Sequence, residues 1–294
     1  MLPLGAVEAH GPHLPLGVDA MHNADLLHRA LAALPEEALV LAMPPLDVGV
    51  SCEHAGFART PHTRGHISPY LPVCVSPHLP TSPHISGFAG TLELSAETAA
   101  AAWCELGACV ARVGIRKLVL YNSHGGNHAL AEVVARRLRK RHGMLTVLAM
   151  NLGASMAPGS ACANLFPEDE MRYGLHGGAL ETSLMLHLRP QLVSTSAAMD
   201  FASRAAEQPK DAALQLHAPG FATKTGWLSQ DLNAHGVVGA AATLSSAEKG
   251  ATLARECVES LRKLLVEVHA ADVDELLSER PLFPPQGDAG GELR

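Results

Sequence analysis

Residues 117–142 read KLVLYNSHGGNHALAEVVARRLRKRH. The first six, KLVLYN, have a continuous apolar middle, the pattern of a strand covered on both faces. Residues 127–142 carry Leu and Val at helical spacing, and residues 145–150 (LTVLAM) return to strand. The same alternation runs through the chain. Residues 2–7 form a short buried strand, followed by a helix over 20–34 and a second apolar strand over 39–43. Ser95 caps a helix that continues to Val113 and stops at Gly114, and residues 180–188 and 246–268 are further helices. Strands alternating with helices predict an α/β fold, a three-layer α/β sandwich with a mostly parallel central sheet.

Composition narrows the function. The chain has 294 residues, 47% of them hydrophobic, enough to bury a substantial core. Its net charge of −7 comes from 22 basic and 29 acidic residues scattered along the chain, so no basic stripe offers itself to nucleic acid. No apolar run approaches the roughly 20 residues of a membrane span, and the start lacks the charged region of a signal peptide. Six cysteines (Cys52, Cys74, Cys104, Cys109, Cys162, Cys257) show no C-x-x-C pairing, which predicts reduced, mostly buried thiols and a cytoplasmic location. G-x-G-x-x-G, P-loop and G-x-S-x-G patterns are missing, which removes the usual support for nucleotide binding and serine hydrolase chemistry.

The polar residues at the expected strand ends carry the chemistry. Glu8 and His10 follow the first strand, Asp19 opens the next helix, and His124 lies in Ser123-His124-Gly125-Gly126-Asn127 just past KLVLYN. Ligands of parallel α/β sheets bind outside the carboxyl ends of the strands. A third cluster, His176-Gly177-Gly178-Ala179-Leu180-Glu181-Thr182-Ser183, sets His and Glu around a glycine pair at a helix start, and is read as a third strand-end loop. Singly, each residue has a plain alternative: a solvated loop for Glu8 and His10, a helix cap for Asp19, a polar loop for His124. Their recurrence at equivalent strand ends favours a shared site. Carboxylate and imidazole donors suit Zn²⁺, Mn²⁺ or Fe²⁺, and a carboxylate able to bridge two ions makes a two-metal hydrolytic centre possible.

Taken in order, Glu8-Ala9-His10-Gly11-Pro12-His13-Leu14-Pro15 with Asp19, then the His124 motif, then the His176 motif resemble the creatininase (creatinine amidohydrolase) family from Leu2 to about Leu265. The resemblance implies a three-layer α/β sandwich, assembly as a homohexamer, and a binuclear metal site that hydrolyses a non-peptide C–N bond in a small-molecule amide. Two divalent transition-metal ions (Zn, Mn or Fe) are implied: Glu8, Asp19 and His124 would hold one, and His10 with Asp19 the other, so Asp19 bridges. A hydroxide held between the ions would be the nucleophile, and His176 matches the proton-relay histidine. One departure stands out: creatininases carry a glutamate ligand two residues after the His of the second motif, where this chain has Gly126. Glu181 is the candidate carboxylate to compensate, with a structural role at its helix start as the alternative. The glycine version occurs in relatives assigned to other cyclic amides, formamides or peptide maturation. Two alternatives therefore accompany the amidohydrolase: a peptidase-like maturation enzyme of the same family, and an inactive or truncated relative acting as an oligomeric binding protein.

The expected organisation is one domain over residues 1–280 and a disordered tail over 281–294, rich in Pro, Gly and charge. The resemblance also implies an element ahead of the first motif, whereas the chain starts inside the first strand. Residues 58–88 read as an insertion, with six prolines and no Asp, Glu or Lys. Without them, residues 49–57 run directly into 89–95 in the family's continuous pattern. An exposed loop, a substrate lid and a translated intron are the readings of this segment, and its His62, His66, His78 and His84 are weak metal candidates for the same reason. Excising residues 58–88 is expected to preserve the circular-dichroism spectrum and cooperative melting, with stability unchanged or slightly raised, because closing a long loop carries an entropic cost. A deletion variant that does not fold makes the segment part of the domain; one that folds without activity makes it a lid.

Overall fold

The computed structural model describes residues 1–54, 90–153, 160–174, 176–209 and 226–278. The expected insertion 58–88, with Cys74 and its four histidines, and the tail 281–294 lie outside the described residues. Leu2–Leu4 (β1), Lys117–Asn122 (β2) and Leu145–Met150 (β3) form a parallel sheet in the order β1-β2-β3, with Leu2 opposite Leu120 and Lys117 opposite Leu145. The helices are Val18–Ala32 (α1), Ala96–Arg112 (α2), His128–His142 (α3), Glu168–Tyr173 (α4), Ala179–Leu188 (α5), Ser229–Leu232 (α6), Ala247–Ala270 (α7) and Val273–Leu277 (α8). A separate antiparallel pair joins Asp200–Phe201 (β4) to Gly239–Ala240 (β5).

The period of two in β2 builds the layers. Leu118 and Leu120 pack with Ala99, Ala100 and Trp103 of α2 and with Ala131, Val134 and Leu138 of α3. Val119 and Tyr121 turn to the opposite face, against Leu27 and Ala30 of α1 and Leu261 and Leu265 of α7. Helices thus cover both faces of a parallel sheet, and the three-layer α/β sandwich is the observed architecture. Another apolar cluster, Leu180, Leu184, Leu253, Ala254 and Cys257, ties α5 to α7. Ser95 caps α2 as expected, its Oγ accepting the Thr98 N–H at 3.2 Å.

Three expectations are corrected. The first strand is shorter than residues 2–7, ending at Leu4. Residues 39–43 are not a strand: only Leu4 and Leu46 form a parallel bridge, supported by Met43 N–H to the Met1 carbonyl and Leu46 N–H to the Pro3 carbonyl. Pro44 and Pro45, between those donors, have no N–H for a ladder, and Leu39 and Leu41 stand 77% and 67% exposed. The free cysteines among the described residues are also less buried than expected, with Cys162 and Cys257 inside but Cys52 and Cys109 exposed. No helix among the described residues is long and apolar enough to cross a membrane.

The contact between α5 and α7 depends on Gly250, where an added Cβ would collide with the backbone carbonyl of Ser183. Ser246, the α7 cap, is held beside it by its N–H to Ser183 Oγ at 3.1 Å. Because backbone cannot step aside as a side chain can, Gly250→Ala is expected to destabilise the protein by ~1–3 kcal/mol, read as a lower midpoint in urea unfolding with an unchanged slope. A neutral result would mean the two helices slide apart freely.

Candidate metal centre

Beyond β1 the chain is fixed by backbone bonds: Glu8 N–H donates to the Leu16 carbonyl at 2.9 Å, and Ala9 N–H to Thr91 Oγ1 at 3.1 Å. Asp19 lies in the first turn of α1, but the helix cap is Gly17 and no side chain caps it. The plain capping reading of Asp19 therefore fails; its side chain is turned inward and the residue is 2% exposed. One turn later, Asn23 Nδ2 donates to the carbonyls of Leu4 and Tyr121 at 3.1 and 3.0 Å, pinning α1 over the ends of β1 and β2. Asn127 does the same on the other side, giving Nδ2–H to the Gly5 carbonyl at 3.0 Å and accepting the Val50 N–H at 2.9 Å. Asn122 closes the set by accepting the His124 N–H and donating to the His124 carbonyl.

The third motif arrives differently. His176 lies in the loop between α4 and α5, and its carbonyl accepts the Val238 N–H at 2.8 Å in an isolated antiparallel bridge. The expectation of three equivalent strand-end loops is thus corrected to two strand ends and one interhelical loop.

Three buried histidines share one arrangement. His10 Nδ1 lies 3.1 Å from the Glu8 carbonyl, His124 Nε2 2.8 Å from the Val50 carbonyl, and His176 Nε2 2.7 Å from the Ala9 carbonyl. A carbonyl only accepts, so each of these nitrogens carries the proton and the other ring nitrogen turns to the carboxylates. His124 Nδ1 faces Glu8 Oε1 at 3.3 Å and Asp19 Oδ2 at 3.2 Å. His10 Nε2 faces Glu181 Oε2 at 3.7 Å and Asp19 Oδ1 at 4.0 Å. His176 Nδ1 is 3.6 Å from Glu8 Oε1, and its ring lies 4.2 Å from that of His10.

All six residues singled out in the sequence come together. Glu8, Asp19 and His124 form one group, His10, Asp19 and Glu181 a second, and Glu8, His10 and His176 a third, with donor atoms in each within 4.8 Å of one another. Asp19 belongs to the first two, one oxygen toward each histidine. Glu181 also accepts the Gly177 N–H at 2.6 Å, so it combines a structural bond with a place in the cluster. The sequence reading missed Glu53, whose Oε1 lies 3.3 Å from His124 Nε2. The one signal that could have found it is Gly126, a glycine where the family resemblance expects a glutamate.

The electrostatics call for a cation. Burial pushes the Asp19 carboxyl up to about 7 against the opposing pull of His124, with Glu8 and Glu181 adding to the rise, and burial likewise raises Glu181. His124 is held well above its ordinary value: burial opposes this, but Glu8, Asp19 and Glu53 outweigh it. Carboxylates crowded this way in a dry interior are costly unless a positive charge lies among them. Carboxylate oxygens and imidazole nitrogens, each imidazole keeping one proton on a carbonyl and offering its other nitrogen once an ion takes the place of any second proton, are the donor set of Zn²⁺, Mn²⁺ or Fe²⁺. The residues present fit such ions.

A family model described as Creatininase, creatinine amidohydrolase, matches residues 1–67 and 62–265. The mycofactocin precursor peptide peptidase of Mycobacterium ulcerans is 29% identical over 201 residues, which cover 66% of this chain and 60% of that protein. The chain thus spans about 60% of the length of that curated relative. The creatinine amidohydrolase of Pseudomonas putida is 27% identical over 206 residues, 68% of each chain. A mutant creatininase of the Zn–Zn type superposes with a TM-score of 0.64 at 25% identity, covering 92% of this chain and 90% of its own. With a parallel sandwich, three motifs converging on one carboxylate–histidine cluster and a family model spanning most of its length, the chain belongs to the creatininase family.

Proposed function

We propose that this protein is a metal-dependent hydrolase that cleaves a non-peptide C–N bond, in a cyclic amide or formamide, with two divalent transition-metal ions. The observation that carries the reading is Asp19, shared between the Glu8–His124 group and the His10–Glu181 group through its two oxygens. Glu181 makes up the carboxylate that Gly126 lacks. Bound ions supply polarisation of the amide carbonyl and a water of lowered pKa. The chain's own groups do the rest. Glu8 and Asp19 stand beside His124 Nδ1, placed to share one ion with it, while the Val50 carbonyl accepts the proton on Nε2. His176, anchored through Nε2 on the Ala9 carbonyl, has Nδ1 turned inward to take a proton and hand it to the departing nitrogen, which an amide requires because its anion is a poor leaving group.

Zinc is the first ion to test, since a similar structure is a Zn–Zn form. A homo-oligomer, a hexamer by family resemblance, a single domain over residues 1–280 and a cytoplasmic location complete the reading. The similarity to a mycofactocin precursor peptide peptidase supports a second reading, cleavage of a peptide C–N bond during peptide maturation. Metal analysis with a panel of cyclic amides, formamides and short peptides separates the two. About two ions per chain with turnover of a non-peptide amide support the first, turnover confined to peptides supports the second, and metal-free protein without turnover overturns both.

Asp19→Ala is expected to lose both ions in elemental analysis, because a bridging carboxylate serves each of them; retention of two tightly held ions would rule out the bridge. His176→Gln is expected to keep its metal and lose ~10²–10⁴-fold in kcat. Loss of metal instead would make His176 a ligand, and full activity would make it a bystander.

A further inference from the structure

Glu53 stands on the far side of His124 from Glu8 and Asp19. It belongs to a 3₁₀ turn, Cys52–His54, whose backbone is held by Ser229 Oγ of α6, donating to the Glu53 carbonyl at 3.0 Å. Two acceptors from this short stretch converge on one proton: the Val50 carbonyl lies 2.8 Å and Glu53 Oε1 3.3 Å from His124 Nε2. Val50 is itself fixed by Asn127, so the approach is rigid on both sides. Gly126 is what leaves room for this approach. A Cβ there would lie 2.5 Å from His124 Nε2 and 2.7 Å from Glu53 Oε1, and would collide with the Val50 carbonyl. Any side chain at position 126 would therefore displace the Glu53 carboxylate.

We infer that Glu53 is a positioning residue for the metal centre: its carboxylate behind the imidazole fixes His124 with the proton on Nε2 and strengthens Nδ1 as a ligand, in the space that a side chain at position 126 would otherwise take. The physical basis is the carboxylate–histidine–metal arrangement, in which a negative charge on the proton-bearing nitrogen raises the donor strength of the other. The exchange is reciprocal. A chain with a glutamate at 126 has no room for this contact, and a chain with Glu53 here needs glycine at 126.

This inference rests on the proposed metal centre, and the test separates the two. Zn²⁺ is titrated against a chromophoric chelator into stripped full-length wild type, Glu53→Gln and Glu53→Ala, with the melting temperature of each stripped protein measured alongside. Glu53→Gln is expected to bind one Zn²⁺ ~10–100-fold more weakly, with the other ion and the stripped melting temperature unchanged, and Glu53→Ala to be at least as weak. Co²⁺ absorption bands are expected to shift in Glu53→Gln, reporting a changed imidazole ligand. Wild-type affinity in Glu53→Gln overturns the inference, as does a melting temperature that falls in step with affinity, which would make Glu53 merely structural. If Glu53→Ala does not fold, Glu53→Gln alone decides. A wild type that binds no ion overturns the metal centre, and this inference with it.

Discussion

In His10, His124 and His176 one ring nitrogen gives its proton to a backbone carbonyl. This fixes the site. An imidazole anchored at one nitrogen has only the other to offer, so three backbone carbonyls decide that the second ring nitrogens turn toward Glu8, Asp19 and Glu181. Because the anchors are main-chain atoms of residues 8, 9 and 50, the direction of each ring is tied to the path of the chain rather than to another mobile side chain. Precision at the site is thus borrowed from the fold.

The fold can supply it because its amides stitch separate elements together. Asn23, Asn122 and Asn127 bond main-chain groups at the ends of β1 and β2 and at Val50, and all three are buried. Their amide donors are taken up by these main-chain carbonyls, and leaving such a buried group unpaired is costly, so these contacts resist displacement. They also explain how carboxylates can be held close together in a dry interior. The sheet and its two helical layers provide the stability, and the asparagines carry it to the loops where repulsion would otherwise open the cluster.

Relationship within the family has a structural counterpart at Gly126. A Cβ at 126 and the Glu53 carboxylate crowd the same side of His124, beside Nε2, while Glu181 enters the cluster from α5.

Much of this was legible in residue order. The continuous apolar run of β2 marked a strand covered on both faces, Ser95 marked the start of α2, and the glycine-framed His124 and His176 motifs together with Glu8, His10 and Asp19 named the donors. Residues 39–43 misled because apolar content resembles a strand even where Pro44 and Pro45 deny it a ladder, and the short elements α4, α6, β4 and β5 have too few residues to carry a period. Glu53 was invisible for another reason. Its contact with His124 joins residues 71 positions apart, and no local pattern records a distance that only the packing of separate loops creates. Sequence alone determined the layers, through side-chain period, and the chemical types of the clustered side chains; tertiary structure decided which nitrogen of each histidine faces the carboxylates, that Asp19 turns inward instead of capping its helix, that Glu181 reaches the cluster, and that Glu53 joins from elsewhere, because hydrogen-bond partners and burial are properties of the assembled chain.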